Sequence, residues 1–228
     1  CYQPSTNTLL KYSTFINQDG LTYSPTFINS VCEDKEHHIW VGTNIGPFMI
    51  KSEEVGRENV TFYQIKVPRN DGTNYADYLL NNVHITNIAI DGGNRKCFAT
   101  DGSCAFLISA DNMTQIYNFK DDNSYILSNN IYSTAINPQT GRVYFLTDKG
   151  LCSYLSNATE PTQEMTKDNV YAYPNPVTSD YTGLITIVGL SYNADVKITT
   201  SSGILVAEGR SNGGSFTWDG CDKKGRRV

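Results

Sequence analysis

Three histidines and six cysteines carry most of the reactive side-chain chemistry in this sequence of 228 residues. His37 and His38 stand in the run EDKEHHIW beside Glu33, Asp34 and Glu36, and imidazoles grouped with carboxylates are the residue types that hold a divalent metal. The group falls between two strand-like runs, so the expected setting is a solvated turn, and no metal is expected. His84 has no carboxylate or cysteine at a recognisable spacing, which favours a loop histidine over a general base. Asp121-Asp122-Asn123-Ser124 has the composition of a calcium loop but lacks its alternating ligands and distal glutamate, so it too reads as a turn. There is no Ser-His-Asp order, phosphate-binding glycine loop or paired-carboxylate site. Catalytic residues and cofactors are accordingly expected to be none.

The cysteines, at 1, 32, 97, 104, 152 and 221, form no C-x-x-C pair and have no histidine at zinc-ligand spacing. Their even number would allow disulfides in an exported protein, but a chain this long can bury a core without staples. Small buried packing positions account for Cys32, Cys104 and Cys152. A Cys97–Cys104 bridge across a hairpin stays open, and Cys1 stays open between a lipidated N-terminus and a fragment boundary.

The elements that must position these groups are strands. Fifteen tyrosines and 18 glycines, with many Thr, Asn, Ile and Val, make a strand-and-turn composition. The balance of 23 acids against 18 bases gives a net charge of −5. With the bases scattered except for Lys223, Lys224, Arg226 and Arg227, nucleic acid is not an expected partner. No uninterrupted run of about 18 apolar residues is present, so no membrane-spanning helix is expected, and no signal peptide is visible.

Residues 30–51, 87–109 and 133–156 can be laid over one another as strand, turn, strand, turn, strand. An Asp or Asn ends the first strand (Asp34, Asp91, Asn137), a Thr ends the second (Thr43, Thr100, Thr147), and a Gly follows in the next turn (Gly46, Gly102, Gly150). The Thr-to-Thr periods of 57 and 47 residues suit one four-stranded propeller blade each. Residues 61–67 and 115–120 read as fourth strands, and residues 9–16 as the fourth strand of a preceding blade. In this register Cys97 replaces Trp40, while Cys104 and Cys152 fall opposite Phe48.

The order of hydrophobic strand, Asp34, turn, IWVGT with Trp40, Gly42 and Thr43, then Gly46, resembles the two-component-regulator propeller repeat of large exported proteins of Bacteroidetes type. A polar stretch at 157–169 reads as a linker. Residues 170–228 then show alternating runs separated by turns at Ser202-Gly203, at 212–214 and at Asp219-Gly220, about five short strands in 59 residues. Tyr173-Pro174-Asn175-Pro176, Phe216-Thr217-Trp218-Asp219-Gly220 and Gly225-Arg226-Arg227-Val228 resemble the C-terminal sandwich of type IX secretion cargo and the flagellar-hook-cap type of Ig-like domain. That family continues with one more strand.

The expected architecture is therefore all-β: a partial β-propeller of about three four-stranded blades over 1–156, and a small Ig-like β-sandwich over 170–228, lacking its last strand. About three blades are too few to close a ring, so a carboxy-terminal fragment of a longer protein is expected. Propeller followed by sandwich is similar to PorZ-type proteins. That resemblance implies an exported, non-enzymatic envelope component, surface-attached or periplasmic, with secretion-machinery proteins and an envelope glycan or lipopolysaccharide as partners. Two other readings stay open, a periplasmic glycan-sensing part of a hybrid two-component system and a propeller polysaccharide lyase or hydrolase using Asp101, Asp148 and His84. A ligand face is expected on the loops entering each innermost strand and the turn after each Thr. It would use Tyr75, Tyr78, Asn82, His84, Asp101, Tyr132 and Lys149, types that stack on or hydrogen-bond sugars; the competing reading is that the tyrosine-rich loop merely packs on the next blade.

Overall fold

The computed structural model describes residues 2–4, 7–69 and 71–228. Cys1, with the question of its lipidation, and Asn70 lie outside the described residues. Among the described residues the regular elements are strands apart from a 3-10 turn at Ser52–Glu54, and the all-β class is as expected. The chain divides into two compact units: residues 1–90, 94–135 and 144–153 form the first, and 91–93, 136–143 and 154–228 the second.

The first unit opens with two short hairpins, β1 (Tyr2–Gln3) with β2 (Thr8–Leu9) and β3 (Phe15–Ile16) with β4 (Thr22–Tyr23). The first repeat sheet is β5 (Ile28–Glu33), β6 (Ile39–Thr43) and β7 (Gly46–Ile50), and a hairpin of β8 (Lys66–Pro68) and β9 (Ala76–Tyr78) follows. The second sheet has four strands, β10 (Ile85–Ile90), β11 (Lys96–Thr100), β12 (Ala105–Ile108) and β13 (Gln115–Phe119). The third contains β14 (Ile131–Ile136), β15 (Arg142–Thr147) and β16 (Gly150–Leu155). The first strands of sheets one and two carry the same bulge, between Ile28 and Ser30 and between Ile85 and Asn87. The repeat is thus carried in backbone geometry as well as in residue type.

The repeated anchors act as their chemistry requires. Asp34 Oδ1 accepts the amides of Glu36 and His38 at 2.9 and 3.0 Å, Asp91 Oδ1 that of Gly93 at 2.9 Å, and Asn137 Oδ1 those of Gln139 and Thr140 at 3.0 Å. Each closes the first turn with a side chain. The second turn is held by the threonine hydroxyl, which donates to the carbonyl of Gly46 from Thr43, of Cys104 from Thr100, and of Gly150 from Thr147, at 2.7, 2.5 and 2.8 Å. This contact corrects the alignment of the second copy: Cys104, not Gly102, is the counterpart of Gly46 and Gly150. Its φ of +81° lies in the same left-handed half of the map as their +120° and +126°, and one extra residue in the turn moved the glycine off register. Phe106, opposite Phe98, takes the place of Phe48.

Among the described residues only the second sheet has the expected fourth strand. Beside the first, Met49 and Tyr63 exchange single backbone hydrogen bonds of 2.9 and 2.7 Å, after which residues 66–68 leave to form their own hairpin. The Phe62 ring stacks on Phe15 at 3.7 Å and its amide donates to the Ile16 carbonyl, so this segment is drawn toward the N-terminal hairpin. Residues 9–16 are not one strand. Asn17 Oδ1 accepts the amides of Asp19 and Leu21, and the tight turn it closes confines pairing to Phe15 and Ile16.

Between the first two sheets lies one core cluster, Trp40, Met49, Ile85, Ile88, Phe98 and Ile108. A buried ion pair borders it: Asp34 and Lys96 are each 1% exposed at the side chain, with Nζ 3.6 Å from Oδ2. The Trp40 indole donates to the same Oδ2 at 2.9 Å, and Lys96 also donates to the Ala110 carbonyl at 3.0 Å. Burial pushes the Asp34 carboxyl up, but the Trp40 indole, the His38 amide, the Lys96 charge and the Glu36 amide outweigh it and hold the group below the usual carboxylate range.

In the second unit β17 (Tyr171–Tyr173), β18 (Ile185–Val188) and β21 (Ser215–Trp218) form one sheet in the order β17-β18-β21, and β19 (Asp195–Thr199) pairs with β20 (Leu205–Arg210). These are the five short strands expected. The Ser202-Gly203 turn joins β19 to β20, with Gly203 at φ +84°. Residues 157–162 are tied down in this unit: the Thr159 carbonyl accepts the Gly214 amide at 2.8 Å, and the Thr162 amide donates to Leu190.

Replacing Asp34 by Asn leaves Lys96 uncompensated and sets an amide donor against the Trp40 indole. The expected loss is about 3 kcal/mol, read from urea unfolding at pH 7 by tryptophan fluorescence. Because the folded pKa is depressed, the carboxylate's contribution is present above the ordinary carboxylate range and disappears as pH falls through the folded value. The gap between wild type and Asp34→Asn should therefore close in acid.

Candidate functional site

The residues expected to bind a ligand lie in the first unit, and the structure distributes them over distinct groups. His84, just before β10, is joined to the turn after β11. Its Nδ1 lies 3.5 Å from Asp101 Oδ2, and the Asp101 amide donates to the His84 carbonyl at 3.0 Å. On the other side of the ring the Asn29 amide group is 2.8 Å from Nε2 and donates to the Ile85 carbonyl at 2.8 Å. Since an amide nitrogen only donates, Nε2 is the acceptor and the ring proton sits on Nδ1, toward Asp101. The exposed Phe27 ring lies 6.4 Å from the imidazole and nearly parallel to it.

This geometry commits Nε2 to Asn29 and leaves Nδ1 facing Asp101 at 3.5 Å. A general base needs a nitrogen lone pair within reach of a substrate proton, and the lone pair of His84 is taken by Asn29. What the group offers is a flat, partly exposed aromatic and imidazole surface with a carboxylate at its rim.

Tyr75 and Tyr78 belong to a second group around the β8–β9 hairpin. The Tyr78 hydroxyl donates to Asp19 Oδ2 at 2.5 Å and accepts from the Asn17 amide at 3.1 Å. Lys66 reaches Asp19 Oδ1 at 2.7 Å. The hydrogen bond to Asp19, then burial, raises the Tyr78 pKa, while the Lys66 and Tyr78 hydrogen bonds lower that of Asp19. Tyr75 is exposed beneath the Arg69 guanidinium, 5.9 Å from the ring centroid, and Arg69 forms a two-pronged ion pair with Asp77. Among the described residues no hydrogen bond or ion pair joins this group to His84 and Asp101.

Asn82, at φ +58°, donates its amide to the Ile45 carbonyl and so acts in the loop backbone. Tyr132 is exposed on β14, and the Lys149 amide donates to Thr147 Oγ1 in the β15–β16 turn. Asp148, named with Asp101 and His84 in the lyase or hydrolase reading, donates its amide to the Asn130 carbonyl. His37 and His38 lie in the β5–β6 turn, where His37 pairs with Glu33, and His38 Nδ1 stands 3.6 Å from carboxylate oxygens of both Asp34 and Glu36. Residues 121–124 form a turn held by Asn123 and Ser124 on Lys120.

Sequence reasoning missed Phe27, Asn29, Asn17, Asp19 and Lys66. They lie 47 to 61 residues from their partners, and nothing in a single sequence reports such a separation.

Residues 22–44 match the two component regulator propeller family, which covers β5 and β6, so the repeat sheets are of propeller type. The whole chain is similar to a solved structure of PorZ, described as an essential surface component of the type-IX secretion system of Porphyromonas gingivalis. Identity is 29% and the TM-score 0.65, over 99% of this chain and 30% of PorZ. The chain thus spans under a third of that relative. Extracellular domains of two hybrid two-component systems of B. thetaiotaomicron are more distant. One is 16% identical with a TM-score of 0.42 over 90% of this chain and 30% of its own. The other is 17% identical with a TM-score of 0.46 over 83% and 23%. No curated protein matches the chain.

None of the described cysteines, 32, 97, 104, 152 and 221, is in a disulfide, so the Cys97–Cys104 bridge does not form; Cys97 faces Leu107 in the ladder. Burial raises the thiols of Cys32 and Cys104 to about 11, which leaves about one thiolate in a thousand at pH 8. Brief iodoacetamide treatment at pH 8 should spare these two in the native protein and modify both in urea, as read by peptide mass.

Proposed function

We propose that the chain is part of a non-enzymatic, exported scaffold of the cell envelope, working with a type IX secretion machinery and recognising an anionic lipopolysaccharide or other envelope glycan. The observation that carries this reading is the similarity to PorZ over 99% of the chain. Residues 1–156 act as propeller blades, 157–169 as the connection, and 170–228 as an Ig-like sandwich that addresses or anchors the protein at the envelope. The ligand face uses the exposed ring of Tyr75, the His84–Asp101 group with Phe27, and the polar loop positions Tyr78, Asn82, Tyr132 and Lys149.

The engagement of His84 Nε2 by Asn29 supports binding over acid–base chemistry. The match of residues 22–44 keeps a second reading in play, a glycan-sensing domain of a two-component system. Both call for a saccharide at the same face.

Purified chain should bind immobilised anionic lipopolysaccharide, and Tyr75→Ala and His84→Ala should each weaken binding about tenfold, the worth of one good contact. Binding unaffected by either substitution would overturn the placement of the face. Turnover of acidic polysaccharide that is lost in Asp101→Ala and Asp148→Ala would overturn the non-enzymatic reading.

A further inference from the structure

A cleft of about 650 Å³ opens within the second unit, and none of its lining residues belongs to the first. That volume falls in the range of small-molecule sites, about 300–1,000 Å³. One part of the lining is β17. Tyr171 and Tyr173 stand two residues apart, on the same side of the strand, with their rings 6.3 Å apart and tilted by 42°. Val188, opposite Tyr171 in the ladder, continues this surface onto β18. Both rings are exposed, at 60% and 49%, and neither hydroxyl has a hydrogen-bond partner among the described residues.

A second part of the lining is the β14–β15 turn, with Gln139, Thr140 and Arg142. Asn137 holds this turn through the amides of Gln139 and Thr140. The Glu160 amide donates to the Pro138 carbonyl at 2.7 Å and so ties the turn to the segment that leads toward β17. At the far end of that segment the Asn169 side chain accepts the Thr166 amide and donates to the Glu164 carbonyl, both at 2.8 Å. The Asn169 carbonyl packs on Gly189, where a Cβ would come within 1.9 Å of it. Turn and strand are thus fixed to one another without a ligand, which lowers the ordering cost of binding one.

Two exposed aromatic faces call for an occupant with apolar faces of its own. Around them stand groups that both donate and accept: the tyrosine hydroxyls, the Gln139 amide, and the Thr140 hydroxyl, which accepts the Arg142 amide at 3.3 Å and keeps its own proton to donate. A sugar ring answers both demands, with C–H groups on its faces and hydroxyls around its rim. The lining holds one base, Arg142, and one acid, Glu160, whose formal charges cancel, so an anion finds no excess of positive charge. A proline-rich segment also lies on aromatic rings, but it lacks backbone donors and would leave the acceptors of the cleft unanswered. We infer that the second unit carries a binding site for a neutral saccharide, with Tyr171 and Tyr173 as the stacking platform and Gln139 and Thr140 as the hydrogen-bonding rim. This inference does not depend on what the face of the first unit binds.

Affinity electrophoresis of the chain through gels cast with dextran, laminarin or mannan, all neutral polysaccharides, tests this site. The expected result is retardation by at least one of them, weakened about tenfold by Tyr171→Ala and by Tyr173→Ala and about fivefold by Gln139→Ala, the worth of one hydrogen bond. All three side chains are exposed, so each variant should keep the wild-type circular dichroism and melting temperature. Tyr75→Ala and His84→Ala, in the first unit, should be retarded as the wild type is, so failure of the anionic ligand there and failure of the neutral saccharide here are read separately. No retardation by any of the polysaccharides, or retardation that survives both tyrosine substitutions, would overturn the inference. Binding of poly-L-proline in their place, lost in the same variants, would overturn the saccharide and assign the cleft to a peptide.

Discussion

A carboxylate and an ammonium removed from water set the terms for the first unit. Asp34 closes the β5–β6 turn with one oxygen and takes the Trp40 indole with the other, while Lys96 approaches from β11 of the neighbouring sheet. Desolvating two charges is costly unless their geometry and remaining hydrogen bonds are good. Here the same atoms that satisfy the charges also fix the turn, the Trp40 ring and the stacking of one sheet on the next. Lys96 lies 5.6 Å from the Trp40 ring centroid, so the cation also faces the aromatic that fills the joint. Any slip of the second sheet along the first would strand a charge, which makes the register between sheets specific as well as favourable.

From that joint the setting of His84 follows. Stacking brings Asn29, on the first strand of sheet one, against His84 and Ile85 at the start of sheet two. The His84 ring is held there between Asn29 and Asp101. Sheet stacking and display of the imidazole are thus one arrangement, since the Asn29 amide serves both the Ile85 carbonyl and the ring. The Tyr78 network is built differently, on a hairpin clamped by Asp19 and Lys66.

Much of the fold was legible in the chain because it rests on short-range chemistry. The Asp or Asn that caps one turn and the Thr that closes the next act within four residues of themselves, so their spacing shows in the sequence and holds in the structure. The second copy misled where a one-residue insertion put Cys104, with a left-handed backbone, where the other copies have glycine. Fourth strands were legible only where alternation continued unopposed, as at residues 115–119. At 61–67 a stacking partner 47 residues away, Phe15, redirected the segment. The candidate site was the least legible, because its residues meet only after the sheets stack. His84 was singled out for its type, while Asn29, which decides what its ring can do, carries no local signal.

Hydrogen exchange at the Trp40 indole and the Ile88 amide, followed by nuclear magnetic resonance, tests most directly whether the repeat sheets are locked face to face around Asp34. The Ile88 proton crosses the joint to Ser30, and the indole proton, held by Asp34 within the first sheet, is buried where Trp40 packs on Phe98 of the second. If the joint is the constraint described, they exchange only through global unfolding, as slowly as the central amides of β11. Exchange at the pace of the surface loops, while the β11 amides stay protected, would show that the sheets fold separately and that the joint does not organise the unit.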